Sequence, residues 1–155
     1  MVDMFPVLRV LGILLMIFSL SMGLPLAVSL WNQDGIWPVY PQAMAATLAL
    51  GAWLWWRLRL FRQELQPRHG VMLVSLVWLM LPLCATLPLM LAGHAIGRPM
   101  SFTYAYFEAV SGLTTTGSTV MSHLDTLPVS LNVWRTFLQW MGGMGILILA
   151  VAVLP

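Results

Sequence analysis

Four long apolar runs divide this chain: residues 5–30, 41–60, 71–91 and 133–154. At about 1.5 Å per helical residue, each is long enough to cross roughly 30 Å of hydrocarbon. The third run holds no charge and contains Pro82 and Pro88, which are expected to kink it by removing ladder hydrogen bonds. The first run has a competing reading as a signal peptide, with Arg9 as its basic start and Ala27-Val28-Ser29 as a small-residue cleavage site. Its apolar stretch is longer than the usual core of about 7–15 residues in such a segment.

Between the third and fourth runs the pattern changes. Gly93, Gly97 and Pro99 break any helix. Ser101 or Thr103 can cap a new one, and residues 103–112 then suit a helix about 15 Å long, half a bilayer. Gly112 is expected to end it in the left-handed conformation. The next long run begins on the side from which this helix entered. The pattern therefore predicts an all-α membrane protein, with four transmembrane helices plus one re-entrant pore helix and a selectivity-filter loop.

Composition agrees. Of 155 residues 60% are hydrophobic and 8% charged, against about 25% charged in a soluble domain, and mean hydropathy is +0.88. All seven basic residues are arginines. So few charges do not suggest nucleic-acid binding; membrane lipid is the expected surrounding. Arg57, Arg59, Arg62 and Arg68 cluster between the second and third runs, with Glu64 the acid among them, whereas residues 31–40 hold Asp34 and no base. The positive-inside rule puts the cluster and the amino terminus with Arg9 in the cytoplasm. Arg98 and Arg135 oppose this without reversing it. Trp53, Trp55 and Trp56 precede the cluster, where an interfacial aromatic belt belongs.

The polar run that follows the short helix carries the candidate chemistry. Thr115, Thr116, Gly117 and Ser118 are the candidate potassium ligands. Backbone carbonyls at regular spacing replace an ion's hydration shell without a fixed charge that would trap it. Gly117 supplies backbone angles that turn its carbonyl inward, where a Cβ would clash. The short helix aims the negative end of its dipole at the loop, which favours a cation. Thr114, Thr119 and Glu108 are candidate supports. Glu108 either braces the loop by accepting backbone N–H bonds or is solvated near the outer water. The bland alternative for the whole run is an external Thr/Ser/Gly linker.

Other residues weigh less. Arg135 and Gln139, one turn apart, either anchor the last helix at the interface or bond the loop. Gly142, Gly143 and Gly145 admit a close backbone approach, for packing or as a hinge. His69, His94 and His123 do not face one another across a run, so haem or metal ligation is not expected. Ser111-Gly112 has part of the Gly-x-Ser-Gly pattern of intramembrane serine proteases, but position 109 is alanine, and no enzyme activity is expected. Cys84 reads as a small buried apolar side chain.

Two of these motifs carry a resemblance. Phe107-Glu108-Ala109-Val110-Ser111-Gly112-Leu113-Thr114-Thr115-Thr116-Gly117 resembles the first pore loop of the bacterial Trk potassium-uptake subunits, in the Trk/Ktr/HKT superfamily. Trp134-Arg135, followed by Gln139-Trp140-Met141-Gly142-Gly143-Met144-Gly145, is similar to the start of the helix after that loop. The leading runs resemble the extra amino-terminal helix pair of the Trk branch. The resemblance implies two parts, 1–70 as that pair and 71–155 as one helix–pore loop–helix repeat of four around a single pore. It implies potassium transport across a bacterial inner membrane, by symport or channel-like conduction. Potassium is then the transported ion, with no cofactor and no other metal. The implied partners are a second copy in a homodimer and a cytosolic nucleotide-binding regulatory subunit. Gly117 falls on the filter glycine of the potassium-permeable type; serine there accompanies sodium preference in some plant members. With one loop of four, the chain alone is expected to conduct only if four copies assemble. The rival expectation is a truncated non-conducting fragment or assembly partner, because the chain stops at Pro155 without a polar anchor.

Overall fold

The computed structural model describes residues 4–59 and 67–153, which form helices joined by short links, with no strand among them. Leu60, Arg62 and Glu64 of the sequence-predicted inner end, and Leu154 and Pro155, lie outside the described residues.

The first apolar run is broken into α1 (Phe5–Ser21) and α2 (Gly23–Asn32). Pro25 has no N–H to offer the Ser21 carbonyl, so the ladder is interrupted there. The hydroxyls of Ser19 and Ser21 each donate back to a carbonyl in the preceding turn, at 2.6 Å. Together these residues still make one apolar stretch, Phe5–Asn32, long enough to cross a bilayer; His69–Ala95 is a second. α3 (Val39–Leu58) and α6 (Val129–Val153) have 20 and 25 residues, or about 30 and 38 Å. α3 ends with the Arg59 guanidinium 5.9 Å from the Trp56 ring centre.

α1 and α3 cross at a pair of glycines. A Cβ on Gly12 would meet the Gly51 carbonyl at 2.8 Å, and one on Gly51 would meet the Gly12 carbonyl at 2.7 Å. The backbones touch because neither residue has a side chain, as small-residue helix crossings in membranes require.

α4 (Pro67–Ala95) is longer than expected and runs through both prolines. The Thr86 hydroxyl donates to the Pro82 carbonyl at 2.8 Å, the back-bond to the preceding turn by which a buried threonine satisfies its hydroxyl inside a helix. α4 closes on Gly97 at φ +71, with Gly97 N–H donating to His94 O and Arg98 N–H to Gly93 O. That is a glycine-terminated helix end. Then come α5 (Phe102–Leu113), a 3-10 turn (Leu124–Thr126) and α6. α6 starts four residues before the predicted position, where the Pro128 carbonyl accepts from the N–H groups of Leu131 and Asn132.

One apolar core joins the leading helices to the rest. Leu11, Leu15, Phe18 and Met22 are buried together with Ala85, Leu89, Ala105, Ala109, Leu113, Trp134 and Leu138. Trp134 is central: its ring lies 6.0 Å from that of Phe18, and its indole N–H donates to the Ala85 carbonyl at 3.3 Å.

Candidate functional site

α5 begins on Ser101, whose extended backbone and side-chain oxygen cap the Tyr104 N–H. Its other end corrects the sequence reading. Gly112 does not stop the helix; it is helical and buried, and the helix runs on to Leu113. The left-handed residue is Thr115, at φ +58. Thr115 N–H donates to Gly112 O and Thr116 N–H to Ser111 O, both at 2.9 Å. These two bonds define a Schellman end, here with threonine where glycine is usual. A left-handed non-glycine residue costs roughly 1–2 kcal/mol, and such strain collects at functional sites. Gly112 uses its missing side chain for packing instead: a Cβ there would stand 3.1 Å from the Leu138 Cβ on α6.

Ser111 organises the turn that follows. Its carbonyl accepts from both Thr116 and Gly117 N–H, at 2.9 and 3.3 Å. Its hydroxyl donates to the Ser118 carbonyl at 2.6 Å. Thr114 Oγ1 donates to Val110 O and shares a bond with Thr116 Oγ1, each 2.8 Å, while Thr115 Oγ1 donates to Thr114 O. The N–H groups are thus drawn back to the helix end. Among the described residues nothing donates to the carbonyls of Thr115, Thr116 or Gly117, and residues 114–120 are all exposed. Gly117 has φ +75, and the nearest atom to an added Cβ is Gln139 Nε2 at 3.8 Å. The reason glycine is needed is therefore backbone angle and not the expected clash.

Glu108 holds the outgoing segment. Its side chain is 3% exposed. Oε1 accepts from the Thr119 hydroxyl at 2.5 Å, Val120 N–H at 2.6 Å and Met121 N–H at 3.3 Å. Oε2 accepts from Arg135 Nε at 3.2 Å and Nη2 at 3.0 Å. Arg135 Nη2 also donates to Thr119 Oγ1 at 2.9 Å. Glu108 thus accepts backbone N–H bonds from the segment after the loop, and Arg135 bonds both Glu108 and Thr119. A cavity of about 400 Å³ adjoins residues 120–123. Met121 packs against the hydrophobic core, and the carboxylate ties the backbone of the segment to α5.

α6 supports the loop from beneath. Gly142 touches backbone: a Cβ on it would sit 1.9 Å from the Leu113 carbonyl oxygen. A Cβ on Gly143 would be 3.8 Å from Thr115 Cγ2, and one on Gly145 would have no atom of the described residues within 4 Å. Of the three glycines, Gly142 carries the close approach.

The structure thus gathers Glu108, Thr114 to Thr119, Arg135, Gln139 and Gly142 around one loop. Ser111 was missed as its organiser. The available signal was a serine three residues before a Thr/Gly run, within reach of that run's backbone. The imidazoles come together in no cluster, and no group of three or more His, Cys, Asp or Glu is placed to hold a metal ion among the described residues.

Comparison with known proteins identifies this arrangement. Residues 37–155 match the profile of the family described as TrkH, cation transport protein. The Trk system potassium uptake protein TrkH of Halomonas elongata is 47% identical over 149 residues, 96% of this chain and 30% of that protein. Its counterpart in Escherichia coli is 41% identical over 147 residues, 95% of this chain and 30% of that protein. The crystal structure of the potassium transporter TrkH from Vibrio parahaemolyticus superposes with a TM-score of 0.90 at 40% identity, over 99% of this chain and 32% of that one. The chain therefore spans about 30% of the length of the relatives it matches.

Proposed function

This chain belongs to the TrkH family of cation transport proteins, and from that premise we propose that it serves potassium uptake across a membrane by furnishing one loop of a carbonyl-lined filter. The observation that carries the proposal is the pair of restraints on residues 114–121. Ser111 and Glu108 take up the N–H groups on either side of the loop, which leaves the carbonyls of Thr115, Thr116 and Gly117 to an ion. The Ser118 carbonyl, anchored on the Ser111 hydroxyl, retains a second lone pair and is the last ligand of the set. A potassium ion shed of water at these oxygens sits at the carboxyl end of α5, where the helix dipole is negative. One such loop offers a quarter of a four-loop shell, so the conducting unit is read as four such loops around one axis. No cofactor enters the reading.

Gly117→Ser tests it. In the full-length transporter a serine would be forced to φ +75, at roughly 1–2 kcal/mol. The expected result is a fall of about 5- to 30-fold in the preference for rubidium over sodium uptake, with normal amounts of protein in the membrane. An unchanged preference would remove Gly117 from the filter.

The proposed setting is a bacterial inner membrane with the amino terminus in the cytoplasm. Arg57 and Arg59 close α3 beside exposed Trp53 and Trp56, which supports that orientation by the positive-inside rule. Cys84 is buried, so a cysteine at Gln33 should react with an impermeant maleimide added outside intact cells, and labelling only after permeabilisation reverses the topology. A homodimer and a cytosolic nucleotide-binding regulatory subunit are the partners proposed from the family resemblance.

A further inference from the structure

A second buried polar cluster lies away from the loop and joins parts of the chain 96 residues apart. Asp34, in the link between α2 and α3, points its carboxylate at the first turn of α6. Oδ2 accepts from the Ser130 N–H at 3.2 Å and from the Ser130 hydroxyl at 2.5 Å. Oδ1 accepts from the Ser29 hydroxyl and from the Ile36 N–H at 3.3 Å. The Tyr40 hydroxyl donates to Ser130 Oγ at 2.9 Å, and both Tyr40 and Ser130 are fully buried. A carboxylate from outside α6 thus caps an N–H that α6 cannot satisfy itself, and sets a negative charge against the positive end of its dipole. Burial of Asp34 opposes its ionisation. The hydrogen bonds from Ser130, Ser29 and Ile36 outweigh that and hold its pKa below the usual aspartate value, so it is charged at neutral pH.

What α6 does further along gives this cap its meaning. Arg135, Gln139 and Gly142 are the α6 residues that bear on the pore loop. They lie about 8, 14 and 18 Å along the axis from Ser130. An α-helix is stiff over that distance, so a slide or turn at its first residues is carried to all three. A local bond holds the same end: Asn132 Nδ2 donates to Leu124 O at 2.8 Å. That bond ties α6 to its own repeat, whereas Asp34 is, among the described residues, the charged group of the leading helix pair that hydrogen-bonds to α6.

We propose that Asp34 is a positioning residue for the ion pathway: the α2–α3 link latches the amino end of α6 and so sets the register at which α6 presents Arg135 and Gly142 to the pore loop. The link to ion selection rests on the filter reading above; the latch itself does not.

The test uses purified full-length transporter and two readouts. Asp34→Asn removes the charge and turns an amide donor toward groups that already donate. Hydrogen exchange should quicken about tenfold at residues 129–132, and also at 119–121, which Asp34 does not touch; tenfold is the scale of losing one hydrogen bond to a charged group. Faster exchange confined to 129–132 would make Asp34 a local cap and overturn the proposal. The second readout is rubidium over sodium uptake per molecule, expected to fall severalfold. Loss of folded protein alone would lower the amount of transporter and leave this ratio fixed. Quickened exchange at 119–121 with an unchanged ratio would support the latch and count against the filter reading. Should Asp34→Asn fail to insert, Ser130→Ala gives the same test in milder form, since it keeps the Asp34 charge and the capped N–H. In a double variant, Ser130→Ala should add little to Asp34→Asn, and full additivity would show that the two residues act apart.

Discussion

Glu108→Gln in the full-length transporter should abolish rubidium uptake while the protein still inserts in normal amounts. A glutamine keeps the size of the side chain and halves its use. Oε1 takes three donors and Oε2 faces the Arg135 guanidinium. Whichever way the amide turns, its NH2 confronts N–H donors, those of Val120 and Met121 on one side or the Arg135 guanidinium on the other; the Thr119 hydroxyl is the one neighbour that could turn to accept. The charge that compensates Arg135 is lost as well, and Arg135 is 14% exposed. Breaking a buried ion pair by removing one partner costs about 3–5 kcal/mol. That cost falls on residues 119–121, whose hydroxyl and N–H groups converge on the one carboxylate oxygen. A loss of this size lowers the fraction of molecules with an ordered loop by on the order of 100-fold or more.

The reverse substitution sharpens the test. Arg135→Gln should be milder, because Glu108 keeps its three donors from the loop. The double variant Glu108→Gln/Arg135→Gln should transport better than Glu108→Gln alone, since no bare guanidinium is left. Uptake by Glu108→Gln within a few-fold of the parent protein would falsify the bracket as the restraint on the filter.

The parts of this site that could be read from the sequence are those set by neighbours along the chain. Ser101 as cap and a helix of half-bilayer length follow from local preferences. The readings of Glu108 and Arg135 could be narrowed to two each, because a carboxylate and a guanidinium at such depth need partners. Choosing between them required knowing that residues 108 and 135 meet, and no local rule brings together positions 27 apart. Gly112 shows a different failure. Its position just before a polar run fits a left-handed stop, yet Leu138 of α6 takes the space that its missing Cβ leaves, and the strained angle falls to Thr115. Tertiary packing overrode the local preference. Asp34 was visible as an acid in a loop without bases, but its partner Ser130 sits in a run where nothing marks it out. The Gly12–Gly51 crossing was hidden for the same reason, since glycine within an apolar run reads as tolerated until its neighbour is known.

Alanine at the three glycines of α6 should separate packing from hinge. Gly142→Ala puts a Cβ 1.9 Å from the Leu113 carbonyl oxygen, 2.6 Å from its carbon and 2.9 Å from its Cα. These are backbone atoms, and no rotamer relieves the overlap. Either α6 withdraws or the carboxyl end of α5 lifts, by more than an ångström in both cases. Overpacking typically costs 1–3 kcal/mol and occasionally more, and here the displaced atom is the carbonyl two residues before the proposed filter ligands. Uptake should be lost, with selectivity degraded in whatever remains. Among the described residues, Gly143→Ala has only the Thr115 methyl at 3.8 Å, an ordinary contact, and Gly145→Ala meets nothing within 4 Å. Both also gain up to about 1 kcal/mol of helix propensity, so both should insert and transport near the parent level. A hinge predicts another order, because alanine stiffens the helix equally at any of the three positions. The measurement is rubidium uptake per inserted molecule for each variant. Equal losses at all three positions would favour the hinge. A Gly142→Ala protein as active as Gly145→Ala would mean that the pore helix does not rest on α6 at that glycine.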